Sequence, residues 1–90
     1  MTKGCYAVHL KPSADRAMAR LPADAQRRIV LALEGLGGNP RPPGVTKLAG
    51  DENLWRIRVG AYRVVYEIHP RPPLVMVLRV AHRKDAYREK

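Results

Sequence analysis

Ninety residues are enough for one domain with a modest core, so residues 1–90 are expected to form a single unit. Seventeen Lys and Arg against eight Asp and Glu leave a formal net charge of +9, which calls for a polyanionic partner: nucleic acid, an acidic protein or an anionic membrane surface. No apolar run approaches the length of a membrane span, the N-terminus lacks the apolar core of a secretory signal, and a single cysteine excludes an internal disulfide framework, so a cytoplasmic protein is expected.

Tyr6 to Leu10 alternates with period two and predicts a first strand, with Tyr6, Val8 and Leu10 inward and His9 on the surface. Cys5 beside it has no His or Asp motif and reads as an inert thiol. Pro12 and Ser13 predict a helix start, with Ser13 as N-cap. Ala14, Ala17, Met18 and Leu21 then fall on one helical face. Pro22 in the first turn and Asp24 near the positive dipole end open a second helix. Its apolar stripe is Ile29, Ala32, Leu33 and Leu36, and Gly37-Gly38 supplies the stop. Arg16, Arg20, Arg27 and Arg28 lie off both stripes, as a solvated helix face does.

After the Pro-rich loop Asn39–Gly44, two alternating runs flank Gly60-Ala61, a Gly-X pair suited to a two-residue type II′ hairpin. That loop length sets the register. Val59 faces Tyr62, Arg58 faces Arg63, Ile57 faces Val64, Arg56 faces Val65, Trp55 faces Tyr66, and Leu54 faces Glu67. Side-chain alternation puts Trp55, Ile57, Val59, Tyr62, Val64 and Tyr66 on an apolar face. Arg56, Arg58 and Arg63 share the other, open face. Like charges directly opposite destabilise a strand pair. Converging guanidiniums therefore point to an anion, and phosphate matches their planar fork. The alternative is a solvated basic face partly neutralised by Glu67.

His69-Pro70-Arg71-Pro72-Pro73 predicts a turn that ends this strand, with no constellation around His69. Leu74 to Ala81 predicts a strand buried on both faces near the middle of the sheet. Arg79 either snorkels to an edge or joins the basic face. Strand parity puts Arg79, Ala81 and Arg83 together and His82 opposite.

One cysteine and three scattered histidines make no zinc spacing, and neither paired carboxylates nor a Gly-rich phosphate loop occur. No metal or cofactor is expected. A metal-free basic site could cleave RNA through the RNA's own 2′-hydroxyl, given a proton acceptor, a proton donor and cations for the developing charge. Arginines are suited to the last role and are poor bases. His82 and Tyr87 have more suitable acid–base chemistry, and Tyr87 could instead stack on a base.

The ordered set Leu21, Asn39-Pro40-Arg41, Lys47-Leu48-Ala49-Gly50, Trp55 through Tyr66, Ala81-His82-Arg83 and Tyr87-Arg88 resembles the RelE/ParE superfamily of bacterial toxins. The resemblance runs from about Tyr6 to Arg88. It implies an α+β fold, β-α-α-β-β-β, with two N-terminal helices on a small, mainly antiparallel twisted sheet. It also implies RelE-type activity, a metal-independent endoribonuclease acting on messenger RNA in the ribosome. By position, Arg56 and Arg58 stand where RelE-like enzymes carry basic residues, often lysines, near the scissile phosphate. Arg63 matches the arginine that stabilises the transition state, Arg83 the basic residue near the leaving group, and Tyr87 the substrate-orienting tyrosine. Lys47 and Arg79 are assigned to RNA binding, and His82 is a candidate acid or base. Arginine at both lysine-like positions removes the easier bases. The implied partners are a cognate antitoxin with an acidic or amphipathic segment, the ribosome and mRNA, with no membrane. A ParE-like inhibitor of DNA gyrase and a basic RNA- or ribosome-binding module without chemistry are the competing readings.

Overall fold

The computed structural model describes residues 6–48 and 53–82. Cys5, Ala49-Gly50, Arg83 and Tyr87 from the sequence reading lie outside them. In chain order the elements are β1 (Ala7–Leu10), α1 (Pro12–Ala19), α2 (Ala23–Gly38), β2 (Thr46–Lys47), β3 (Leu54–Val59), β4 (Tyr62–Pro70) and β5 (Pro73–His82). The expected element order holds, with the two-residue β2 added. The sheet order is β1-β5-β4-β3-β2, with β1 parallel to β5 and every other pair antiparallel. Among the described residues, no helix is long and apolar enough to cross a membrane.

Both helices lie against one face of the sheet. Ala14 of α1 and Ile29, Leu33 and Leu36 of α2 form a single core with Ile57, Val64, Tyr66, Ile68, Val75, Val77 and Val80. Tyr66, Ile29, Leu36, Val64, Val75 and Val77 are fully buried, and each such aliphatic side chain contributes about 1.5–3 kcal/mol of hydrophobic stabilisation. The backbone stitches the layers together: Lys11 N–H donates to Val77 O at 2.9 Å, and Tyr6 N–H to Gly37 O at 3.1 Å. Gln26 Nε2 donates to Met18 O at 2.7 Å and joins the two helices.

The helix ends differ from expectation. Lys11, not Ser13, is the N-cap of α1; its extended backbone leads into Pro12 at the first helical position, and Asp15 N–H already bonds to Lys11 O. A proline at that position costs no hydrogen bond, because its missing N–H would have had no helical partner. Pro22 is likewise the N-cap of α2 rather than part of its first turn. Gly37-Gly38 continues the helix instead of stopping it, and the end falls at Asn39, whose N–H bonds to Gly35 O at 2.9 Å. Gly37 is retained by packing: a Cβ there would stand 3.0 Å from Tyr6 O.

The hairpin register matches the expectation pair by pair, from Val59↔Tyr62 to Leu54↔Glu67. Gly60 adopts φ +60°, the value that the first turn residue of a type II′ turn needs and that glycine accepts at no steric cost. At the other end, β4 runs through Pro70, which pairs with Pro73, so the proline cluster does not end the strand at His69. β5 is interior, between β1 and β4, but buried on one face only. Its other face stays half-exposed because both helices pack on the same side of the sheet.

Candidate functional site

The face of the sheet turned away from the helices carries the arginines. Paired residues in adjacent strands share a face, so Arg58↔Arg63↔Ala81 make one row and Arg56↔Val65↔Arg79 the next. The third row is Leu54↔Glu67↔Met76↔His9. Arg56, Arg58, Arg63 and Arg79 thus converge on two neighbouring rows.

A β-bulge places the fourth of these cations. Val65 pairs with Arg79, but Tyr66 pairs with Val77, so Leu78 is an extra residue in β5. Plain alternation from Val75 and Val77 would turn Arg79 toward the helices. The additional residue shifts the parity and brings Arg79 and Ala81 onto the arginine face. His82 falls on the opposite face, edge-on to Tyr62 with ring centroids 5.4 Å apart, as strand parity required.

The arginines are not equally open. Arg58 is exposed and Arg56 and Arg79 are half-buried, but Arg63 is only 6% exposed. The expectation that all three hairpin guanidiniums stand on an open face is therefore corrected at Arg63. β4 has a strand on each side, so Arg63 lies among the side chains of both neighbours, whereas Arg58 sits near the sheet edge. A buried guanidinium is poorly hydrated, and an anion near it is attracted more strongly than one in water.

Glu67 does not serve as the partner of Arg56. Its Oε1 is 2.9 Å from His69 Nε2, which donates to it in the tautomer protonated there. His69 therefore has a partner that sequence reading missed. The signal was available: residues two apart on a strand share a face.

Lys47 stands apart from the arginines. It pairs with Trp55 on the helix-facing side, with Nζ 5.8 Å from the indole centroid, and the Arg41 guanidinium lies 5.0 Å from the same ring. Two cations on one indole make a second basic patch at the sheet edge, stabilised by attraction to the ring face. The loop that carries Arg41 is pinned from inside the core, where Tyr66 Oη donates to Pro40 O at 2.6 Å. Burial pushes the Tyr66 phenol up to about 12, with Arg41 pulling weakly the other way. Among the described residues, no group of three or more His, Cys, Asp or Glu could hold a metal ion.

Two helices on one face of a small mixed sheet, with a cationic opposite face, define the RelE-like α+β fold. The family model of the ParE toxin of type II toxin–antitoxin systems matches residues 8–87, and the chain belongs to that family, within the RelE/ParE superfamily. The RelE–RelB complex of the archaeon Pyrococcus horikoshii superposes with a TM-score of 0.79 at 28% identity, covering 88% of this chain and 96% of that one. The RelBE2 toxin–antitoxin complex of Mycobacterium tuberculosis gives 0.77 at 26% identity over 90% of this chain and 94% of that one. The isolated Escherichia coli RelE toxin gives 0.77 at 20% identity over 92% and 96%, a likeness of fold. Comparison with curated protein sequences gave no match. The protein is a toxin of a type II toxin–antitoxin system.

Proposed function

We propose that this toxin is a ribosome-dependent, metal-independent endoribonuclease that cuts messenger RNA in the cytoplasm and so inhibits translation. The observation that carries this reading is the convergence of Arg56, Arg58, Arg63 and Arg79 on the face that neither helix covers. The reaction needs no protein nucleophile. The 2′-oxygen attacks the adjacent phosphorus, the bond to the 5′-oxygen breaks, and guanidiniums stabilise the charge that builds on the phosphoryl oxygens. Arg63 is the principal transition-state cation, and Arg56 and Arg58 hold the scissile phosphate. Arg83 and Tyr87, by their resemblance to family positions, serve the leaving group and orient the substrate. His82 acts structurally through Tyr62 rather than as an acid or base.

The cognate partner is an antitoxin whose acidic or amphipathic segment neutralises the basic face. The similar structures from Pyrococcus horikoshii and Mycobacterium tuberculosis are a RelE–RelB complex and a toxin–antitoxin complex, which supports an antitoxin partner here. A second reading is inhibition of DNA gyrase, favoured by the match to the ParE toxin family.

Primer extension on a defined message, with and without translating ribosomes, tests the proposal. Codon-phased cuts only with ribosomes are expected. Arg63→Ala should lower the rate on the order of 10²-fold or more while changing RNA affinity less. Arg58→Ala, at an exposed position, repeats the test where folding is not at stake. Absence of cuts alongside inhibition of gyrase supercoiling would replace this reading with the second.

A further inference from the structure

We infer that Glu67, held by His69, is the general base that takes the proton from the RNA 2′-hydroxyl. The inference rests on the ribonuclease reading and supplies what the arginines cannot, because a guanidinium stays protonated at any working pH.

The register carries the case. Val65 is the small apolar centre of a four-sided arrangement on the arginine face. Arg56 lies beside it on β3 and Arg79 on β5, each Cα about 5 Å away across the ladder. Arg63 lies two residues along β4 toward the hairpin turn and Glu67 two residues the other way, each Cα about 6.7 Å off. A phosphate seated over Val65 is thus ringed by cations on three sides and meets a carboxylate on the fourth. The bulge at Leu78 is the device that completes the ring, since it turns Arg79 outward.

The carboxylate is also prepared for the task. His69 Nε2 holds Oε1 at 2.9 Å, which orients Glu67 and leaves its second oxygen to accept a proton. Glu67 and His69 are part-exposed, with side chains 32% and 43% accessible, so substrate can reach them. The groups facing the pair from neighbouring elements are Arg56 on β3, Arg79 on β5 and His9 on β1, which is in register with Met76 beside Glu67. On the described part of this face Glu67 is the one acidic residue.

In the step, the 2′-hydroxyl proton passes to the Glu67 carboxylate as the bond from the 2′-oxygen to phosphorus forms. The bond from phosphorus to the 5′-oxygen breaks, and that oxygen takes a proton from water. A 2′,3′-cyclic phosphate and a 5′-hydroxyl result. Glu67 then returns its proton to solvent, and His69 acts only to position it.

The test is single-turnover cleavage of a ribosome-bound message at neutral pH, with wild type, Glu67→Gln, Glu67→Asp and His69→Gln. Glu67→Gln is isosteric, and its melting temperature checks the fold. It should lower the rate about 10²- to 10⁴-fold, with affinity for a 2′-deoxy message kept or raised. Glu67→Asp should recover part of the rate, and His69→Gln should lower the rate by less than Glu67→Gln with affinity for the 2′-deoxy message unchanged. A folded Glu67→Gln that cuts within a few-fold of wild type overturns the assignment and leaves the ribonuclease reading standing. A wild type that cuts nothing, or cuts the 2′-deoxy message, overturns both.

Discussion

Replacing Tyr66 by Phe removes one oxygen from the middle of the core and nothing else. The phenol is fully buried and donates to Pro40 O at 2.6 Å, and Pro40 is buried as well. The variant loses a hydrogen bond and strands a carbonyl in the interior, a combined cost of about 2 kcal/mol. At roughly 2.1 cal/mol/K of unfolding entropy per residue, a chain of this length loses about 10 °C in melting temperature for that change. The pH dependence adds a sharper test. Folding holds the phenol proton up to about 12, against an ordinary value of 10.0. Below the unfolded value both states are protonated, and the stabilisation is fully present. Between the two values the unfolded chain ionises while the folded one does not, so stability is lost as pH rises through that window. One unit above the unfolded value the loss is about 1.4 kcal/mol. Urea unfolding of wild type and Tyr66→Phe at neutral pH and near pH 11 should therefore show a gap of about 2 kcal/mol that shrinks to well under 1. A neutral-pH gap near zero, or one that does not narrow, would refute the role given to this bond.

Two glycine contrasts test the fold elsewhere. A Cβ at Gly35 meets nothing within 4 Å, so Gly35→Ala should stabilise α2 by up to about 1 kcal/mol, whereas Gly37→Ala, with Tyr6 O at 3.0 Å, should destabilise by about 1–3 kcal/mol. Thermal melts of the pair check both signs at once. Gly60→Ala forces a side chain into φ +60° and should cost about 1–2 kcal/mol in the same assay, with Gly60→Asn milder.

The hairpin was legible in the chain itself because its information is local. Two turn residues set the register, and alternation sets the faces, so Arg58 opposite Arg63 followed from Gly60-Ala61 alone. The helical stripes were legible for the same reason, since Ile29, Leu33 and Leu36 recur at the helical period and all three are buried. Helix ends were not. Lys11 caps α1 and Gly37 stays helical because strands pack nearby, and no local preference of Ser13 or glycine outweighs that packing.

Composition and pattern by themselves determined a basic chain with two amphipathic helices and a guanidinium pair across a tight hairpin, and the resemblance of its ordered motifs to the RelE/ParE superfamily implied the α+β fold. Only the tertiary structure decided the rest of the site. The parity of β5 depends on where one extra residue bulges against β4, and that choice brings Arg79 beside Val65. Arg63 is buried because β4 has a neighbour on both sides, while Arg58 stays open near the edge. Periodicity encodes which residues share a face along one strand. Which strands stand beside it is settled only when the sheet assembles.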